Sequence, residues 1–236
     1  MKDSSKLLRT IRGQVGLLLG LLTASNVALG QSLGNSQVVQ PNSTEFGNPY
    51  GEWSARWWQW LVSIPADTNP NFSSGNVDCT LGQSGPVWFL GGSFGDKLSY
   101  TRRCTIEGGK DLLVTPLTTL FGQGVGDCTG PSDCDPTQLR ALAAVGQDNP
   151  QLLEVRVDNA QVKSLDQYRV TPPVFTVFFP QNAVFGLEPG THGPVVSDGY
   201  FVLLKSLSPG PHTIHLKGVS NGGFTVEVTY QLTVTK

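Results

Sequence analysis

The sequence predicts an all-β protein. The expected architecture is a two-sheet antiparallel β-sandwich, jelly-roll or immunoglobulin-like, with a Trp-rich N-terminal helix and one further short helix. Strand-length segments that are apolar or alternate apolar with polar recur from residue 86 to residue 234. Turn signals separate them: Gly108-Gly109, Asp158-Asn159, Pro209-Gly210 and Asn221-Gly222-Gly223. With 28 Gly and 16 Pro in 236 residues, long helices have little room. Many short strands with Gly/Pro turns are the pattern of a sandwich.

The chain opens with a basic stretch, Lys2, Lys6, Arg9 and Arg12, and an apolar run, VGLLLGLL, at 15–22. Ala28 and Gly30 are small residues placed for cleavage before Gln31. This is the layout of a secretory signal peptide over 1–30. The run is too short to span a bilayer comfortably, and no later stretch is long enough, so no stable membrane anchor is expected. Arg9 and Arg12 are not adjacent, which favours the general export route over the twin-arginine route. The expected location is secreted or periplasmic. Residues 31–47 are polar and aperiodic and read as a flexible lead-in. Residues 48–236 then form a single sandwich domain.

The first helix is expected over 49–63, with Asn48 as N-cap, Pro49 at the first helical position and Pro65 beyond its end. The stretch GEWSARWWQWL holds Trp53, Trp57, Trp58 and Trp60, out of five tryptophans in the chain. Trp53, Trp57, Trp60 and Leu61 share one helical face, and Trp58 and Val62 widen it. That spacing favours a core helix over a flat binding platform. Trp58, at the edge of the stripe, is the ring expected to be most exposed. With Glu52, Arg56, Gln59 and Trp88 it makes a candidate ligand-binding site.

Strands are expected at 86–90, 99–106, 111–116, 152–157, 174–179, 199–207, 212–218 and 224–234. In the last, Phe224, Val226, Val228, Tyr230, Leu232 and Val234 fall on one side, with Glu227 and Gln231 on the other. A second helix is expected at 136–145, capped by Asp135. The four cysteines in the exported part, an even number, point to two disulfides. Sequence leaves the connectivity open. Cys79–Cys104 with Cys128–Cys134 is favoured, because the second pair closes only the small loop CTGPSDC.

Four stretches carry a resemblance: YGEWSARWWQW (50–60), GQSGPVWFLGG (82–92), SDGYFVLL (197–204) and LSPGPHTIHLKG (207–218). Through them the chain resembles a family of exported bacterial proteins with no assigned activity, over nearly the whole mature length. The resemblance implies export and a single domain, and no mechanism.

Charged residues are 14% of the chain and the net charge is −2. No basic block stands in the mature part, so nucleic acid is not an expected partner. Gly91-Gly92-Ser93-Phe94-Gly95 matches GxSxG after a strand, and Asp198 and His212 follow in the order of a hydrolase triad. A nucleophile elbow needs a helix after the turn, and DKLSYTRRCTI reads as turn and strand. His212 and His215 fall on opposite faces of a strand and cannot share a metal. No metal or other cofactor is expected. A weak calcium candidate is Asp127, Asp133 and Asp135, acidic residues crowding a disulfide-closed loop. Asp198, a further ligand-binding candidate, heads an apolar strand, and burial would require a partner, with Arg56, Arg102, Arg103 and Arg169 available.

The expectation from these features is a non-catalytic exported module that binds a glycan or another envelope or environmental polymer. The alternatives are a polysaccharide-active hydrolase or lyase, and a purely structural surface protein.

Overall fold

The structure is a computed structural model and describes residues 31–34, 37–95, 99–122, 124–125, 128 and 135–236. In chain order its elements are β1 (Thr44–Glu45), β2 (Asn48–Pro49), α1 (Tyr50–Val62), β3 (Gly75–Asn76), β4 (Val87–Phe89), β5 (Tyr100–Ile106), β6 (Asp111–Gly122), α2 (Pro136–Val145), β7 (Leu152–Val157), β8 (Ala160–Gln161), β9 (Arg169–Val170), β10 (Phe175–Phe179), β11 (Gly190–Leu204), β12 (Gly210–Val219) and β13 (Thr225–Val234). β1 and β2 form a small hairpin. A five-stranded sheet runs β10-β11-β6-β4, with β9 also on β11, and a six-stranded sheet runs β3-β5-β13-β12-β7-β8.

The two sheets differ in how they meet water, and the sequence encodes the difference. Both helices pack on the five-stranded sheet, and β6 also faces β12, β13 and β7 of the other sheet. The five-stranded sheet is therefore covered on both faces. Its long strand β11 is buried continuously from Val195 to Leu204, as a doubly covered strand must be. The six-stranded sheet is covered on one face. Along β13, Val226, Val228, Tyr230, Leu232 and Val234 are buried, while Glu227, Thr229, Gln231 and Thr233 face out. The sheets pack tightly at Gly218, which lies against the Pro116 carbonyl and leaves no room for a Cβ.

The tryptophan helix belongs to the core. Trp53, Trp57, Trp58 and Trp60 are all buried. Each indole N–H is satisfied: Trp53 donates to the Glu45 carbonyl (3.0 Å), Trp57 to Leu90 (3.0 Å) and Trp60 to Leu81 (2.9 Å), and Trp58 donates to the Thr118 hydroxyl (3.2 Å). The helix starts at Tyr50, and the residue at its N-cap is Pro49. Asn48 instead spends its side chain on Arg56 and the Phe46 carbonyl.

Several expectations need correction. The sheets are mixed: β4 runs parallel to β6, and β5 runs parallel to both β3 and β13. The reason is that the Gly108-Gly109 turn carries the chain from one sheet to the other, so β5 and β6 do not pair as a hairpin. The lead-in is not free over its described C-terminal part. Val38 and Val39 are buried, and Val39 bonds the Leu203 carbonyl and accepts from the Tyr50 hydroxyl. Two adjacent valines suffice to seat a segment that is otherwise polar. β6 runs on past Pro116, because the register shifts there by a bulge opposite Phe201 and no ladder N–H is lost. Phe224 precedes β13 and is 45% exposed.

The Cys79–Cys104 disulfide forms, tying the loop after β3 to β5. Cys128 is also disulfide-bonded, and its expected partner Cys134 lies outside the described residues. The proposed signal peptide, residues 1–30, lies outside them too. Among the described residues no helix is long and apolar enough to cross a membrane.

Candidate functional site

The residues singled out by sequence do not assemble into an open site. Trp58 and Trp88 are buried. Arg56 lies over the Trp53 ring at 4.9 Å, and Gln59 donates to the Thr176 carbonyl at 2.9 Å, so both serve the fold. Glu52 is half-buried in the first turn of α1. Asp198 is buried and takes a two-pronged bond from Arg169, at 2.9 and 3.0 Å. Arg169 also reaches Asp148 (2.6 Å) and the Ala144 carbonyl, which clamps the end of α2 to β11. These carboxylates hold the Arg169 guanidinium above its ordinary pKa, the Asp198 hydrogen bond first. Asp127 and Asp133 lie outside the described residues, and Asp135 stands at the N-cap of α2 without a side-chain cap bond. Ser93 is buried in a loop that leads into β5, with no helix following.

The site that the fold does build lies on the outer face of the six-stranded sheet. An open groove of about 630 Å³ crosses β3, β5, β13 and β12. Its floor is set by register. Asn76 of β3 stands beside Arg103 of β5, Arg103 beside Gln231 of β13, and Gln231 beside Thr213 of β12. Strand spacing makes this row about 14 Å long, three intervals of about 4.8 Å. Thr105 and Thr233, paired in register one step along, widen it. All six side chains are exposed. None has a hydrogen-bond or ion-pair partner among the described residues.

The charged groups further along the same face are paired with one another. Arg156 bonds Glu154 at 2.9 and 3.1 Å, His215 bonds the Thr229 hydroxyl at 3.0 Å, and Lys217 pairs with Glu227 at 2.7 Å. The Arg156 hydrogen bond is the leading cause that holds the Glu154 carboxyl below its ordinary pKa. The charged side chains further along the face are thus paired with one another, whereas Arg103 in the groove is not.

At the rim, His212 separates this groove from a second one of about 420 Å³. Its Nδ1 lies 2.6 Å from Asp158 Oδ2, and its Nε2 lies 2.8 Å from the Ser208 carbonyl and 3.3 Å from Ser208 Oγ. Asp158 Oδ1 accepts from the Thr213 N–H at 2.8 Å. Serine, histidine and carboxylate thus follow one another, but the ring nitrogen that would serve as base faces a backbone acceptor. Sequence order pointed His212 to Asp198; the turn at Asp158 supplies its partner instead.

Sequence reasoning also missed an aromatic cluster. Phe72, Phe94 and Phe185 come from three separate loops, with ring centroids 4.9 and 5.2 Å apart. Phe185 holds a left-handed backbone, φ 67°, which is strained for a bulky residue. The rings are tilted by 44° and 70°, so they offer no flat stacking surface. No periodic signal joins loops this far apart in the chain.

Compared with known proteins, the chain matches no family model, no curated protein and no solved structure.

Proposed function

We propose that this protein is an exported, non-catalytic module that binds a glycan chain along the groove of the six-stranded sheet. The observation that carries the reading is the row Asn76, Arg103, Gln231 and Thr213: amides, a guanidinium and a hydroxyl held in register on four strands and unspent on the fold. Such groups match the alternating donors and acceptors of sugar hydroxyls. Strands fix them in place, so little ordering is lost on binding. The groove is open, as a polymer passing through requires. The disulfide and the secretion signal expected from the sequence fit an extracellular or periplasmic ligand.

Affinity electrophoresis in gels containing soluble polysaccharides tests this, alongside an assay for released reducing ends. Retardation without product supports the reading. The double substitution Asn76→Ala with Gln231→Ala should abolish the retardation. Equal retardation of that variant and the native protein contradicts the groove as the site.

A second reading, a hydrolase, draws on Ser208, His212 and Asp158. It requires the His212 Nε2 to leave the Ser208 carbonyl before it takes a proton from the Ser208 hydroxyl. Turnover of an activated ester that is lost in Ser208→Ala would favour it over the binding module.

A further inference from the structure

We infer that the ligand of the groove is a carboxylated polysaccharide, a chain of uronic acid residues, and that Arg103 pairs with its carboxylate. This rests on the binding reading above and names the class of glycan.

The charge inventory of the groove points that way. Arg103 is its one Lys or Arg among the described lining residues, and its guanidinium has no partner there. The one lining carboxylate, Asp158, is used twice by the fold, by His212 and by the Thr213 N–H. The Glu154, Arg156, Lys217 and Glu227 charges further along the face cancel in pairs. Arg103 is thus the one charged lining side chain with no protein partner among the described residues, and it is fixed on a strand between two amides.

A guanidinium is planar and offers parallel N–H groups that match a carboxylate in two-pronged fashion. The Arg103 guanidinium is solvated and free to take such a partner, whereas Arg102 and Arg156 are already engaged with protein groups. A neutral glycan would leave the charge unused. A densely sulfated chain asks for several cations, and the groove supplies one. A uronate chain carries a single carboxylate per residue, and its successive residues turn about the chain axis, so one carboxylate can face the sheet at Arg103 while the others meet water and hydroxyls meet Asn76, Gln231, Thr213, Thr105 and Thr233.

The test uses the full mature protein in affinity gels at low ionic strength. The probes are polygalacturonate, the same polymer after chemical reduction of its carboxyl groups, and a sulfated galactan. The proteins are the native form, Arg103→Gln, Arg103→Lys and Lys217→Gln. The Arg103 side chain makes no hydrogen bond or ion pair among the described residues and is exposed, so its variants keep the native circular dichroism. The expected result is retardation by polygalacturonate, at least tenfold weaker binding in Arg103→Gln, an intermediate loss in Arg103→Lys and no change in Lys217→Gln. Salt should weaken native binding. Equal binding of the carboxyl-reduced polymer, or native affinity in Arg103→Gln, overturns the uronate inference and leaves glycan binding standing. Preference for the sulfated chain overturns the carboxylate assignment in the same way. No retardation by any of the three overturns the uronate inference, and the glycan reading then falls only if the wider set of polysaccharides also fails to retard the protein.

Discussion

Arg102 and Arg103 are neighbours in sequence and opposites in role. The alternation of β5 sends Arg102 inward, where it is fully buried and lies over Tyr100 and Tyr230, at 5.0 and 5.4 Å from their ring centroids. It donates to the Ser73 carbonyl at 2.9 Å, and to the Gly91 carbonyl and the Tyr230 hydroxyl at 3.0 and 2.9 Å. It thereby joins the loop after α1 to the loop after β4. Arg103 points out and has no hydrogen-bond or ion-pair partner for its side chain among the described residues. Arg102→Gln should cost about 2–4 kcal/mol of unfolding free energy, since several charge-assisted bonds go and their acceptors stay buried. Arg103→Gln should stay within about 0.5 kcal/mol. Urea denaturation of the two variants checks both figures. The adjacency also shows what sequence conveyed. Period two in SYTRRCTI predicted that the two arginines face apart, but not which one faces the core, because neither is apolar. The tryptophans were easier, since i, i+4, i+7 spacing of large rings has few uses besides packing.

At the scale of elements, α2 and β11 are held together by one ionic clamp. Arg169 leaves β9, takes Asp198 of β11 on one side and reaches Asp148 and the Ala144 carbonyl at the end of α2 on the other. Asp198→Asn should lower stability by about 1–3 kcal/mol, with proteolysis appearing first around α2. The helix itself was legible to the residue, because Pro136 at its first position and Asp135 before it mark the start. The parallel pairings were not legible: periodicity reports which face a strand buries and says nothing of its neighbour. Two carboxylates on the strands carry opposite pH signatures. Burial pushes the Asp111 carboxyl up from its ordinary 3.8, so its contribution is full below that value and fades as pH rises through the raised pKa. Glu154, held below its ordinary 4.5 by Arg156, contributes above that value and loses its contribution as pH falls through the lowered pKa. Asp111→Asn keeps the acceptor for the Ser206 N–H. Relative to the native protein, it should therefore gain stability as pH rises from 3 to 7, while Glu154→Gln should lose it over the same range. Thermal melts across that range separate the two trends.

For the molecule as a whole, three layers explain where the site sits. The helices cover one face of the five-stranded sheet and the six-stranded sheet covers the other, which leaves the outer face of the six-stranded sheet to water. The Cys79–Cys104 bond closes a loop with a sequence separation of 25 and anchors the β3 side of the groove to β5. Replacing both cysteines with alanine should cost about 3 kcal/mol, read as a lower urea midpoint than that of the oxidised protein. The sandwich was legible because its strands and turns are marked locally. The groove was not, because Asn76, Arg103, Thr213 and Gln231 come from four strands and look like ordinary solvent-facing residues until register aligns them. The most direct test of the account is amide chemical-shift mapping during titration of the isotope-labelled protein with an oligogalacturonate. Shifts confined to β3, β5, the start of β12 and the end of β13 are the predicted result. Shifts centred on Phe72, Phe94 and Phe185, with the groove unmoved, would contradict it.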